Sequence, residues 1–199
     1  MNTDVNNHST AFGWIGIIAV VTYCTIIAIC SVIADGSWTW CESVVSRFGI
    51  NDNQTVRDIY NYGSIIFGLL LATYGIGRIE CKKVGYVVGG ILFIFAGACI
   101  AIMGLITCAD FTRDIHRFFA MLTAIFIVLA MVAIALQYYR DGNILAIGFT
   151  LVIGIMAFAC FTQFEFAKYE TYNVLMGYIW IVFDSILMIK AGLNGGTKQ

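Results

Sequence analysis

Six long apolar runs, each parted from the next by a short polar segment, limit what this 199-residue chain can fold into more than any other feature. They lie near residues 11–34, 59–79, 84–107, 115–139, 144–161 and 172–189. A helix crossing a hydrocarbon core of about 30 Å needs roughly 20 apolar residues, which these runs supply. In lipid every backbone amide must be paired internally, so a continuous apolar run of this length reads as a helix. The expectation is an all-α, polytopic membrane bundle of six transmembrane helices, a single integral membrane domain over residues 1–199. Charged residues make up 12% of the chain, about half the usual share of a soluble domain.

Composition removes several classes of function. A net charge of -1 gives no electrostatic reason to expect nucleic acid as a partner. The seven cysteines form no C-x-x-C pair, so neither a thiol–disulfide enzyme nor a cysteine zinc site is indicated. Cys24, Cys30, Cys99 and Cys160 fall within apolar runs and read as small hydrophobes. Cys41 and Cys108 lie near one membrane face, where a bridge between them is open but not fixed by spacing. With only His8 and His116, a multi-histidine zinc site is unavailable, and no metal or cofactor is expected. The absence of proline counts against a transporter built on broken helices.

Lys and Arg in short loops set orientation. With both termini cytoplasmic, one side carries Arg78, Lys82, Lys83, Arg140, Lys190 and Lys198, and the other Arg47, Arg57, Arg113, Arg117 and Lys168. The basic cluster at Arg78, Lys82 and Lys83 decides for both termini inside. Most acids then fall on the outer side. Glycines at 90, 97 and 104, and at 85 and 89, read as contact seams of the third span, and Thr150, Gly154 and Ala157 as one of the fifth.

The candidate ligand-binding residues gather on the outer side. Residues 38–49 predict a short interfacial helix in the first outer loop, with Glu42, Ser43, Ser46 and Arg47 on one face and Cys41, Val44, Val45 and Phe48 on the other. Gly49 would end it, and Trp38 and Trp40 would anchor it at the interface. At the start of the fourth span stand Asp110, Thr112, Arg113, Asp114, His116 and Arg117. Asp110 or Thr112 can cap the helix, and Asp110/Arg113 and Asp114/Arg117 are spaced to pair. His116 reads as a hydrogen-bonding pivot, a headgroup contact or a general base. Asn61, near the same outer end, should face the bundle interior, because an amide without partners is costly in lipid. Asp184 lies inside the sixth span toward the cytoplasmic end. It reads either as a functional acid or as a structural partner of Gln137, Tyr138 or Arg78.

Ser46-Arg47-Phe48-Gly49 in the first outer loop, Asn61-Tyr62-Gly63 opening the second span, and Asp114-Ile115-His116-Arg117-x-x-Ala120 opening the fourth carry a resemblance. Together with six spans, they resemble the prokaryotic membrane family known as domain of unknown function 998. More remotely, the arrangement is similar to the eukaryotic Frag/DRAM/Sfk proteins, over roughly residues 14–189. The remote resemblance implies lipid binding or lipid modification near the outer leaflet, and by position points to Ser46, Asn61 and His116. It is a likeness of fold and motif, a weak warrant for chemistry.

Membrane lipids are thus the expected partners. The leading expectation is binding or regulation of lipid at the outer interface by His116, Asn61, Ser46, Glu42, Asp110, Asp114 and Arg117, with Asp184 apart from them. An intramembrane lipid hydrolase or transferase is the first alternative, with Ser46, His116 and the nearby acids as candidates. A small transporter using Asp184 is the second.

Overall fold

The structure is a computed structural model that describes residues 3–34, 36, 38–39, 42–107, 109 and 111–196. Cys41, Cys108, Asp110 and Trp40 lie outside the described residues, and with them the question of a Cys41–Cys108 bridge and the cap at Asp110. Six helices form: α1 (Thr3–Ile33), α2 (Gln54–Glu80), α3 (Val84–Leu105), α4 (Arg113–Arg140), α5 (Ile144–Gln163) and α6 (Phe166–Gly196). All six are long and apolar enough to cross a membrane. The protein is an all-helical integral membrane bundle, with a short 3-10 helix at Val45–Ile50 between α1 and α2.

The helices overrun the apolar runs, most clearly in α1, which starts at Thr3, and α6, which starts at Phe166. Apolar length marks only the part that must sit in lipid. Backbone hydrogen bonding has no reason to stop at that boundary, and no proline stops it. Caps stand where the side chains allow: Asn53 accepts from the Thr55 amide at 3.0 Å, and Asn143 from the Ala146 amide at 3.1 Å. The α4–α5 turn is tight enough to need a positive φ of 70° at Gly142.

Neighbours in sequence are neighbours in space. α2 packs most extensively on α3, α3 on α4, and α1 on both α2 and α6, while α5 touches α4 and α6 more lightly. The α2–α3 contact has a clear cause. A Cβ on Gly97 would stand 2.3 Å from the Gly68 carbonyl oxygen, and one on Gly90 2.4 Å from that of Gly75. Gly104 meets the backbone oxygen of Asn61 in the same way, at 2.6 Å. The seven-residue spacing of these glycines therefore forms a backbone-to-backbone seam, as the sequence predicts. Gly85 and Gly89 face α4 instead, against Ala133, Ile134 and Ala130. The expected seam of α5 holds only at Thr150, which is buried and accepts from the Trp180 indole N–H at 2.9 Å. Gly154 has nothing within 4 Å of its would-be Cβ.

The two ends of the bundle differ. At the end bearing the termini, Ser9 donates to the Met188 carbonyl and Gly77 admits Phe12, so α1, α2 and α6 are drawn together. At the opposite, loop-bearing end, α4 buries only a narrow stripe, with His116, Thr123 and Ala130 along it. α5 has no buried residue after Ile153. Of their apolar windows, 11% of α4 and 17% of α5 are buried, against 39% to 44% in the other four helices. α5 stays on α6 through Phe161–Tyr169 and Phe149–Phe183 ring pairs. α4 and α5 are therefore the least buried helices of the bundle, and α5 is exposed above all toward the loop-bearing end.

Candidate functional site

The densest constellation of polar side chains lies at the end bearing the termini, around Asp184. Its carboxylate is completely buried and forms an ion pair with Arg78 of α2, itself 3% exposed. Tyr74 and Tyr138 both donate their hydroxyls to the same carboxylate, one to each oxygen. The Arg78 guanidinium also donates to the Asp184 backbone carbonyl at 3.0 Å and to the Tyr138 hydroxyl at 3.3 Å. It lies over the Tyr86 ring, 5.0 Å from the centroid. One carboxylate thereby ties α2, α4 and α6 together, and Tyr86 of α3 closes the fourth side. Taking a charge out of water is expensive, and this pair offsets the cost only because each partner is neutralised and hydrogen-bonded. Two buried atoms of the cluster, Arg78 Nε and Ser185 Oγ, have no hydrogen-bond partner. Gly16 of α1 lies on Ser185 and Tyr74, so close that a Cβ there would be 2.2 Å from the serine hydroxyl oxygen.

A second polar group joins this centre to the surface. Asp141 accepts from Lys83 at 2.8 Å, Tyr86 at 2.9 Å and Gln137 at 3.0 Å. Partial burial opposes its ionisation, but the hydrogen bonds from Lys83, Tyr86 and Gln137 outweigh that and hold the carboxyl below the usual aspartate range. Gln137 also accepts from the Gly85 amide, at 3.1 Å. Of the three partners foreseen for Asp184, Arg78 and Tyr138 are real, whereas Gln137 serves Asp141. Tyr74 was not foreseen, although it stands one helical turn before Arg78, at the i,i+4 spacing that puts both on one face.

The outer residues are placed differently from a converging site. His116 is buried, and its Nδ1 lies 2.9 Å from the Ile106 carbonyl oxygen, the C-cap of α3. Thr112 donates to the Thr107 and Ala109 carbonyls beside it. These bonds pin the start of α4 to the end of α3, which is the pivot geometry. Asn61 is half-buried and donates to the Gly49 carbonyl at 3.3 Å. Gly49 lies inside the 3-10 helix, which runs on to Ile50, and a Cβ there would stand 2.7 Å from the Asn61 side-chain oxygen. Ser46 is half-buried, and Glu42, Asp114 and Arg117 are exposed. The ion pairs among the described residues are Arg78–Asp184 and Lys83–Asp141, so Asp114 and Arg117 do not pair despite their spacing. His116 belongs to the α3–α4 junction, and Asn61 and Ser46 to the contact of the 3-10 helix with α2. The structure does not gather these residues into one hydrogen-bonded set.

The 3-10 helix itself is packed inward rather than laid flat. Val45, Phe48 and Gly49 are buried against α2 and α6, with Ser43 buried just before them. Val45 and Phe48, three residues apart, fall on one side of the 3-10 helix, and that side turns inward. Trp38 packs on Phe48 at 4.6 Å, and Phe48 on Tyr60 at 5.9 Å. From there a run of rings, Tyr23, Phe67 and Tyr178, descends into the bundle. Glu170 of α6 completes this end: it accepts from the Val45 amide at 3.1 Å. In the sequence Glu170 is one of several outer acids, and its spacing does not mark this contact.

Among the described residues no group of three or more His, Cys, Asp or Glu side chains is arranged to hold a metal ion. Two grooves along the helices are shallow and apolar, about 390 Å³ along Thr25–Ile33 of α1 and about 440 Å³ beside Tyr139, Ile147 and Leu151. Neither touches a polar cluster, and both read as lipid-facing surface. No curated protein and no solved structure matches the chain. Residues 17–183 match the family described as protein of unknown function (DUF998), and the chain belongs to that family.

Proposed function

We propose that the protein binds a membrane lipid at its loop-bearing end, where α4 and α5 part. The observation that carries this reading is the asymmetry of the bundle. Asp184 and its tyrosines tie helices together at one end, while at the other α5 buries nothing past Ile153. A lipid chain would lie along the apolar surface that α4 and α5 leave exposed there. The headgroup would then lie among the loop-end residues Glu42, Ser46, Asn61, Asp114, His116 and Arg117, with Asp110 in the same connection. His116 supports this arrangement indirectly, because its bond to Ile106 sets where α4 begins. Its role here is positioning, by fixing the α4 side of the opening.

The test is mass spectrometry of lipids that stay bound through gentle detergent purification, for the parent and for His116→Ala. One lipid class enriched over the bulk membrane, and retained several-fold less by a folded His116→Ala, is the expected result. Only bulk lipid, the same in both proteins, would end the proposal. The hydrolase or transferase reading draws no comparable support: Ser46 and His116 stand on different junctions, and the His116 Nδ1 is already engaged by a backbone carbonyl.

A further inference from the structure

Glu170 is an unusual acid for its position. It lies in the second turn of α6, inside the apolar span Ala167–Leu193, and is only half-buried. One oxygen, Oε2, accepts from the Val45 amide. The other has no hydrogen-bond partner among the described residues and is not among their fully buried, unpartnered atoms. No cation pairs with it, since the ion pairs among the described residues lie at Arg78 and Lys83. Lys168, two residues earlier, points to nearly the opposite side of the helix. An ionised carboxylate at the edge of a span without a cation is costly, and such groups mark ligand contacts. The 3-10 helix that it contacts stands on the aromatic run of Phe48, Tyr60, Tyr23 and Tyr178.

A second charge stands close by in the chain. Arg47 is two residues past Val45 in the same 3-10 helix, exposed, and without a carboxylate partner. Two residues of 3-10 helix rise about 4 Å. The Val45 contact thus brings the Arg47 backbone to within about 10 Å of the Glu170 carboxylate, and neither charge has an ion-pair partner among the described residues. That separation suits a ligand carrying both charges. The depth, one to two turns inside the end of α6, is that of a lipid headgroup.

We propose that Glu170 and Arg47 bind the headgroup of a zwitterionic phospholipid with a primary amine, its ammonium on the Glu170 carboxylate and its phosphate on the Arg47 guanidinium. The inference rests on the lipid-binding reading above and names the class of lipid. A primary ammonium donates hydrogen bonds to a carboxylate, which a quaternary one cannot. Phosphatidylethanolamine is therefore favoured over phosphatidylcholine as well as over phosphatidylglycerol.

The full-length protein in mixed micelles is equilibrated with equal amounts of phosphatidylethanolamine, phosphatidylcholine, phosphatidylglycerol and diacylglycerol, and the bound lipid is weighed by mass spectrometry. The parent should enrich phosphatidylethanolamine over the other three. Glu170→Gln, which keeps an acceptor for the Val45 amide, should lower the preference over phosphatidylglycerol about tenfold while total lipid stays bound. Arg47→Gln, a surface change that leaves the packing intact, should lower the preference over diacylglycerol, and it serves alone if Glu170→Gln fails to fold. A headgroup preference unchanged in the folded variants overturns this site and leaves lipid binding standing. A parent that retains no class above bulk overturns both.

Discussion

Asp184 is the residue whose removal should be felt most. It neutralises a guanidinium that is 3% exposed, and it receives two tyrosine hydroxyls. Asp184→Asn leaves Arg78 charged, buried and unpaired, which costs about 3–5 kcal/mol where a buried pair is broken on one side. The double change Arg78→Met with Asp184→Leu removes both charges and should recover most of that loss. Thermal unfolding in detergent would measure it. Equal destabilisation by the single and double variants would show that packing, not charge, holds α2, α4 and α6 together there. Much of this cluster is legible in the sequence, because an acid within a span demands partners and Arg78 and Tyr138 stand at the same end. The outer set is less legible. Asn61 and His116 look like members of one site because both lie near one membrane face. Each instead bonds a backbone carbonyl from the adjoining segment, Gly49 or Ile106, and sequence spacing does not show which carbonyls a fold brings near.

At the scale of elements, the small-residue seams separate what sequence can and cannot tell. α3 and α5 carry similar patterns of small residues, yet only that of α3 meets a neighbouring backbone. The pattern says a helix can be approached closely. It does not say that another helix arrives. Gly97→Ala and Gly154→Ala should therefore act with opposite signs. The first drives a methyl to 2.3 Å from the Gly68 carbonyl, where no rotamer change relieves it, and should cost about 1–3 kcal/mol. The second meets nothing within 4 Å and trades glycine for a better helix former, a gain of about 0.5–1 kcal/mol. Unfolding midpoints measured side by side in one detergent would decide it, and destabilisation of similar size at both sites would mean that α5 has a packing partner at Gly154. The 3-10 helix shows the same limit in another form. Its residues split polar from apolar as a surface helix does, and their spacing does not show that the apolar side meets α2 and α6.

For the whole molecule, the open question with the widest consequence is which end faces the cytoplasm. An even number of helices puts both termini on one side, and the packing of α1 on α6 agrees. The basic residues give a finer balance than the loops first suggest. Arg78 is spent on Asp184, which leaves Lys82, Lys83, Arg140 and Lys190 at the end bearing the termini, with Lys198 following in the sequence, five cations. Arg47, Arg57, Arg113, Arg117 and Lys168 at the other end are also five. What breaks the tie is the adjacent pair Lys82–Lys83 in a two-helix turn so short that Lys82 takes a φ of 56°. Charge in a short loop weighs most during insertion. We therefore expect both termini in the cytoplasm. Epitopes fused to each end should resist protease in sealed cells, and a cysteine placed at Asp52 should react with an impermeant maleimide. Digestion of both epitopes would reverse the orientation. A lipid site at the loop-bearing end, as proposed, would then draw from the cytoplasmic leaflet, so this measurement also decides which pool of lipid the protein could reach.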